Sequence, residues 1–301
     1  MGFFILLKQS ILPILIIFLI ANIYYRKFKP DIKQLVNISL YIFGPAVVFH
    51  ALVKEAIGFV ELGKYLFLMV LVTAVLMLVG RVAGGFLRLS KSDMTLFILS
   101  VSMINIGNFG VPLIFFTYGD AGIYNSIMIF IAFNLPLVTI GIYLASDETS
   151  IKGSLKDVFS IPIFHASIIA LLLNTLHVPV PETILKLTGF LGQATFPFLI
   201  FVLGLQLSTI KMNKNLLKVA MSAVVIRLAV APFIVAGMLM LLSFEGLAYS
   251  VSLVQLSGPT ALFPLMFAIK FGKNADLLAA VILIGTALSA ITLPIVIYFA
   301  G

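Results

Sequence analysis

Long apolar segments alternate with short polar loops along the whole chain. At ten places the apolar run is long enough to cross the ~30 Å hydrocarbon core of a bilayer as a helix. The predicted spans, numbered one to ten, are residues 4–25, 34–53, 63–85, 94–117, 123–145, 159–177, 183–207, 216–242, 247–270 and 276–299. Hydrophobic residues make up 62% of the 301 and charged residues only 10%, unlike a soluble domain. The pattern predicts an all-α integral membrane protein with ten transmembrane helices.

The lysines and arginines are distributed unevenly between the two sets of alternating loops. Fourteen lie on one side of the predicted membrane and four on the other, while Arg227 falls inside span eight. The fourteen are Arg26, Lys27, Lys29, Lys33, Arg81, Arg88, Lys91, Lys152, Lys156, Lys211, Lys214, Lys218, Lys270 and Lys273, and the four are Lys8, Lys54, Lys64 and Lys186. Cytoplasmic loops carry the excess of positive charge. This asymmetry predicts that both termini lie on the non-cytoplasmic side of the plasma (inner) membrane.

Five spans per half suggest an internal repeat. A shift of 152 residues superposes three pairs of like residues, which are Asn22 on Asn174, Pro45 on Pro197 and Pro112 on Pro264. Because five is odd, the second half would cross the membrane in the opposite sense, as in the inverted repeats of many secondary transporters. The predicted units are a first repeat at residues 1–147, a cytoplasmic linker at 148–158 and a second, inverted repeat at 159–301.

Two spans contain glycine and proline clusters that should interrupt a helix. The stretch NIGNFGVPL covers residues 105–113 of span four, and SGPTALFPL covers the equivalent residues 257–265 of span nine. Irregular backbone at membrane depth persists only inside protein or beside a water-filled cavity. A broken helix offers N–H groups and a positive dipole end that suit an anion, and carbonyls that suit a cation. The paired interruptions therefore predict a binding site where spans four and nine cross.

Twelve residues in and around the interruptions are candidates for binding substrate or an ion. They are Asn105, Gly107, Asn108, Gly110, Pro112, Arg227, Gln255, Ser257, Gly258, Pro259, Thr260 and Pro264. The asparagines could instead hydrogen-bond a neighbouring helix, the glycines could permit close packing, and the prolines could simply shape the break. Arg227 is costly inside a bilayer. It is either a functional charge, a snorkelling side chain or a cap on the carbonyls of a broken helix.

The acidic residues limit the choice of coupling ion. All eleven lie in loops or at helix ends, so a carboxylate proton relay across the membrane has no obvious members. Sodium held by oxygens near Asn105, Asn108 and Thr260, or uniport without a coupling ion, fits better. No other cofactor is expected. The chain has no Cys and neither an HExxH nor a GxSxG motif, so an enzyme is not expected.

The two interrupted stretches resemble those of the auxin efflux carrier family, which includes plant auxin exporters and bacterial carriers of malonate-type acids. The fourth helix of that family carries an Asn, Gly, Pro pattern, matched here by Asn105, Gly110 and Pro112. Its ninth helix carries two prolines five residues apart and then an apolar-Phe-Ala run, matched by Pro259, Pro264 and Phe267-Ala268. Gly258-Pro259-Thr260 departs from many relatives, which leaves the substrate open.

The resemblance implies an elevator-type transporter in which broken helices 4 and 9 cross beside the substrate. It implies helices 1, 2, 6 and 7 as a scaffold and helices 3–5 and 8–10 as the moving part. The implied substrate is a small organic anion, either a carboxylate such as malonate or an auxin-like acid. The other expected partner is the lipid bilayer; nucleic acid is not expected, and a homodimer is left open. A sodium-coupled carrier of the bile acid symporter type, and a channel or sensor on the same scaffold, are the alternatives.

Overall fold

The computed structural model of the protein describes residues 7–54, 59–136, 162–210, 216–262, 264, 265, 268 and 276–301. Within these residues the regular secondary structure is helical, apart from one isolated backbone bridge. The helices are α1 (Leu12–Phe28), α2 (Ile32–Lys54), α3 (Phe59–Phe86), α4 (Lys91–Ser102), α5 (Val111–Tyr118), α6 (Asp120–Pro136), α7 (Pro162–Thr175), α8 (Glu182–Thr209), α9 (Leu217–Leu241), α10 (Gly246–Leu256) and α11 (Asp276–Ala300).

Six helical stretches of the described chain are long and apolar enough to cross a membrane. They are Lys8–Phe28, Ile32–Lys54, Val60–Phe86, Glu182–Thr209, Leu217–Leu241 and Asp276–Ala300. The other four predicted spans contain shorter apolar helices, with span four divided into α4 and α5 and span nine beginning with α10. The chain is thus an all-α, multi-pass membrane protein. Ten crossings remain a prediction, and the predicted linker at 148–158 lies outside the described residues.

Within the described residues, four π-helical turns interrupt the regular α-helical geometry, and each ends two residues before a proline. The turns are Leu7–Ile11, Ser39–Phe43, Ile106–Gly110 and Ile226–Val230, and the prolines are Pro13, Pro45, Pro112 and Pro232, respectively. Proline has no N–H to donate, and its ring pushes away the carbonyl four residues earlier. The turn before it can therefore widen, as in the π-bulges that are frequent at functional sites.

The described helices pack in two groups. The four-helix group consists of α1, α2, α7 and α8: α8 packs along both α1 and α2, and α7 packs along α2. The seven-helix group consists of α3 to α6 and α9 to α11: α3 packs on α4 and α6, and α11 packs on α4, α9 and α10. The groups meet where α8 contacts α5 and the π turn at Ile106–Gly110. One such contact stacks Phe115 on Phe196, with ring centroids 4.4 Å apart.

Contacts inside the four-helix group follow the 152-residue shift. Thr195 Oγ1 donates a hydrogen bond of 3.2 Å to the carbonyl of Phe43, the residue 152 positions earlier. A residue that touches its own equivalent lies next to the axis that relates the two halves. Farther from this point, Asn22 in α1 donates to Ser208 Oγ in α8, and its equivalent Asn174 in α7 donates to the Leu52 carbonyl in α2. These contacts are those expected of two related halves, while the inverted repeat itself stays a prediction.

Candidate functional site

The two interruptions meet and pair through their backbones. The Asn105 N–H donates to the Pro259 carbonyl at 2.8 Å, and the Ala261 N–H donates to the Met103 carbonyl at 2.9 Å. These bonds form an antiparallel bridge between Ile104 and Thr260. Each interruption therefore supplies hydrogen bonds that the other lost when its helix ended, as apolar surroundings require.

The first interruption starts earlier than the sequence predicts. Helix α4 ends at Ser102, so the non-helical backbone begins at Met103 rather than at Asn105. Pro112 does not lie in the break but directly after the π turn, at the start of α5, where the widened turn accommodates its missing N–H. In the second interruption, α10 ends at Leu256, and the backbone is non-helical up to Leu262 but helical again at Pro264.

Arg227 joins the carboxyl ends of the two broken helices. Its side chain lies on a π turn of α9 and is 1% exposed. Nε donates to the Gly258 carbonyl at 2.9 Å, Nη2 donates to the Leu256 carbonyl and Nη1 donates to the Val101 carbonyl at 3.4 Å. The only ion pair in the described residues is the exposed pair Lys186 and Glu182. These three hydrogen bonds show that Arg227 has the third of its predicted roles, a cap on the carbonyls of a broken helix.

The charge of Arg227 matches the dipoles that it contacts. A helix carboxyl end carries about half a negative charge, so the ends of α4 and α10 together amount to about one. The two helix ends can thus balance the charge of one guanidinium, which would otherwise need a carboxylate partner. Arg227 donates to these carbonyls and is not one of the wall residues of the crevice described below.

The polar side chains of the second interruption are buried and hydrogen-bonded. Ser257 Oγ donates to the Leu253 carbonyl at 2.6 Å, and Thr260 Oγ1 donates to the Ser100 carbonyl of α4 at 2.6 Å. Gln255 Nε2 donates to the carbonyls of Ile106 and Ser126, both at 3.3 Å. All three side chains are at most 1% exposed. Gln255 and Thr260 tie the second interruption to neighbouring elements, whereas Ser257 bonds its own helix; Gln255 Oε1 has no partner among the described residues.

The first interruption leaves polar groups open. Asn105 precedes the π turn Ile106–Gly110 but makes no side-chain capping bond, and its buried Nδ2 has no hydrogen-bond partner. Its carbonyl accepts from the Gly110 N–H at 2.9 Å. The Ile106 N–H donates to the Ile104 carbonyl at 2.9 Å. The N–H groups of Gly107, Asn108 and Phe109 belong to the first turn of a helix and have no partner within that helix. This helix end therefore presents positive charge that no side chain of the first interruption caps.

Two glycines allow the first interruption to pack closely. A methyl group on Gly110 would lie 2.8 Å from Gln255 Cγ and 3.3 Å from the Asn105 carbonyl oxygen. A methyl group on Gly107 would lie 2.8 Å from the ring of Phe130. Gly110 is the tighter of the two positions, because part of what it meets is backbone.

A crevice lies between the two helix groups, beside the first interruption. The crevice opens to the outside, and its enclosed volume is about 20 Å³, roughly the room that one water molecule needs. Its walls are Val36, Ser39, Leu40, Asn108, Val202, Gln206 and Leu262. None of these side chains is charged. The crevice is therefore lined by two carboxamides, one hydroxyl and four aliphatic side chains.

Of the twelve predicted site residues, Asn108 is the one that lines this crevice. The predicted sodium ligands are divided: Asn108 faces the crevice, whereas Thr260 is buried and bonded to α4. The sequence reasoning missed Ser39 and Gln206. Ser39 opens a π turn before Pro45, and this spacing could have found it. Gln206 stands one residue from the predicted end of span seven, where a polar side chain is ordinary.

The chain is similar in sequence to known proteins. Residues 148–297 match the family model described as membrane transport protein. The match covers 150 of the 301 residues, just under half, and over these the chain is similar to that family. The matched residues contain α7 to α10 and α11 up to residue 297, including Arg227 and the second interruption. The predicted relationship to the auxin efflux carrier type is thereby confirmed.

Two relatives of this chain carry transporter names. An uncharacterized transporter of Methanothermobacter thermautotrophicus is 27% identical over 201 residues, which cover 65% of this chain and 65% of that protein. An uncharacterized transporter of Methanocaldococcus jannaschii is 26% identical over 299 residues, covering 94% of this chain and 95% of the relative. The chain thus spans just under two thirds of the first relative and nearly all of the second.

Proposed function

We propose that this protein is a secondary transporter that moves a small organic anion across the membrane by alternating access. The carboxylate would bind at the amino end of the helix that follows the first interruption. One observation carries this proposal: the two interruptions pair beside a crevice into which that helix end places Asn108.

The balance of charge favours an anion. Arg227 offsets the negative carboxyl ends of α4 and α10, so those ends no longer repel an anion. The positive end of the helix at Ile106–Tyr118 stays unmatched, because Asn105 gives it no side-chain cap. The crevice walls contribute no charged side chain. A carboxylate would supply the missing negative charge and accept from the open N–H groups.

The lining favours an organic rather than an inorganic anion. Four of the seven wall residues, Val36, Leu40, Val202 and Leu262, are aliphatic. A mostly apolar pocket with a few placed polar groups is typical of small-molecule sites. A carboxylic acid with a short carbon body, such as malonate or an auxin-like acid, has both features.

The elevator mechanism is supported by the division into helix groups. The four-helix group consists of the described parts of predicted helices 1, 2, 6 and 7, and the seven-helix group consists of the rest. The crevice lies between them, so relative movement of the groups would carry a solute held at Asn108 past α2 and α8. We also propose ten crossings, with both termini on the non-cytoplasmic side of the plasma membrane.

The coupling ion stays open between sodium and none. Oxygens of Asn105, Asn108 and Thr260 were the predicted sodium ligands. Catalysis is not part of the proposal, since the family is one of membrane transport.

Transport by purified protein in liposomes tests the proposal. Saturable uptake of radiolabelled malonate or of a labelled auxin-type acid is expected, with acceleration by the same acid on the opposite side. Runs with sodium and with potassium would separate sodium coupling, the property of a bile acid symporter type, from uniport. Flux that does not saturate would indicate a channel, and no flux of any tested carboxylate would contradict the proposal.

Orientation can be tested separately because the natural chain has no cysteine. A single cysteine replacing the exposed Lys186 should react with a membrane-impermeant maleimide added to intact cells. One replacing the exposed Lys91 should not react until the cells are opened. The reverse pattern would invert the topology.

A further inference from the structure

Two carboxamides line the crevice from opposite walls. Asn108 lies on the π turn that belongs to the seven-helix group, and Gln206 lies near the end of α8 in the four-helix group. Neither side chain hydrogen-bonds any described residue. The Gln206 side chain is partly buried. Its Oε1 is shielded from solvent and has no hydrogen-bond partner among the described residues. Its Nε2 is therefore the end of the amide that remains open to a solute.

A buried amide oxygen without a hydrogen-bond partner lowers the stability of the fold, so folding by itself does not favour it. A buried polar atom without a partner costs about 1–3 kcal/mol, and such atoms are rare in native structures. Leucine would fill the same space beside Val202 and Leu262 without that cost. A carboxylate cannot pair with the buried Oε1, which is an acceptor, so retention of the amide at this cost is explained if its open Nε2 donates to a solute.

We propose that Gln206 is a substrate-binding residue whose contact exists on one face of the membrane only. This inference rests on the proposed function. A carboxylate held at Asn108 would travel with the seven-helix group, whereas Gln206 stays with the four-helix group. The bond from Gln206 Nε2 to the substrate is then made in the arrangement described here and broken when the groups move apart.

The consequence is an unequal affinity on the two faces. A hydrogen bond to a charged group is worth enough to change affinity by about tenfold. Loss of a contact that is made in the bound state but not in the transition state raises KM and kcat together. Removing the Gln206 amide should thus raise KM about tenfold on one face, leave KM unchanged on the other and change kcat/KM little.

The experiment uses the full chain, reconstituted in one orientation, with radiolabelled malonate in exchange mode. KM is measured from each face for the wild type, Gln206→Leu and Asn108→Ala. Gln193→Leu is the matched control, because Gln193 is an exposed glutamine of the same helix and lies outside the crevice. The control should behave as the wild type, and Asn108→Ala should raise KM on both faces.

The outcomes separate this inference from the proposed function. A one-sided rise in KM for Gln206→Leu supports it, and a larger one-sided rise for Gln206→Glu, whose charge repels the carboxylate, supports it further. Equal changes on both faces, or none, overturn it while the proposed function stands. If the wild type exchanges neither malonate nor the auxin-type acid, both the inference and the proposed function are overturned. If Gln206→Leu is unstable in detergent, Gln206→Met gives the same readout.

Discussion

The two interruptions occupy equivalent positions under the 152-residue shift, yet their side chains do different things. Asn108 in the first faces a crevice and has no hydrogen bond to a described residue, whereas its equivalent, Thr260, is fully buried and bonded to Ser100. Ser257, the equivalent of Asn105, bonds within its own helix, whereas the Asn105 amide nitrogen is unpaired. The second interruption is thus a support, and the first carries the open polar groups. Two stretches at matching positions thus form two breaks with different contacts, and we expect the first to bind the solute and the second to support it.

Arg227→Leu should have the largest effect on stability, because Arg227 holds the second interruption against the end of α4. Its loss leaves up to three buried carbonyls without their donor, at about 1–3 kcal/mol each. Size-exclusion chromatography in detergent should show little folded protein. Arg81→Leu removes an exposed cation and should leave the profile unchanged. A wild-type melting temperature in Arg227→Leu would contradict the capping role.

Gly110→Ala should come next, because the added methyl group meets Gln255 and the Asn105 carbonyl. Overpacking of this kind costs about 1–3 kcal/mol, which a thermal melt can resolve. Gly237→Ala in α9 is the matched control, since nothing lies within 4 Å of its added methyl group. That variant should be neutral or slightly stabilised by better helix propensity. Equal stability of the two variants would show that the first interruption is loosely packed.

The pair Thr260→Val and Asn108→Ala tests the comparison directly. Thr260→Val keeps the shape but loses the bond to Ser100, so stability should fall by about 1 kcal/mol and malonate transport should persist. Asn108→Ala should leave the melting temperature unchanged and lower transport about tenfold or more. If Thr260→Val abolished transport and kept the wild-type melting temperature, Thr260 would have the transport role and its structural role would be wrong.

Asn105→Ala should have the smallest effect on stability and still abolish transport. Both backbone bonds of Asn105 persist in the variant, and the substitution removes an unpaired buried amide. The melting temperature should therefore stay the same or rise slightly, as when a residue kept for function is replaced. Wild-type flux in this variant, measured beside its melting temperature, would remove Asn105 from the site.

Much of the membrane fold could be predicted because lipid imposes strict rules on sequence. Each predicted span contains a helix, and the two glycine and proline clusters are interruptions that meet. The boundary at the first break was wrong by two residues, since α4 ends where Arg227 and Thr260 donate hydrogen bonds to its last carbonyls rather than where the polar letters begin. Local sequence cannot show a cap that arrives from another helix.

Proline illustrates the same limit. Pro45, Pro112 and Pro232 each follow a π turn, whereas Pro197 and Pro294 lie inside helices of regular α geometry. The missing N–H is the same in every case. The response of the preceding turn depends on what packs against it, and that is a property of the assembled helices.

The sequence by itself determined that the chain lies in a membrane, where its helices run and that two of its spans are broken at matching depths. These features follow from the cost of exposing charge or unpaired backbone to hydrocarbon, which each segment must meet on its own. Only the tertiary structure decided that Arg227 is a cap, that Thr260 is a support and that Asn108 and Gln206 share one crevice. Those roles depend on which atoms of distant segments lie within hydrogen-bonding distance, and packing alone sets that.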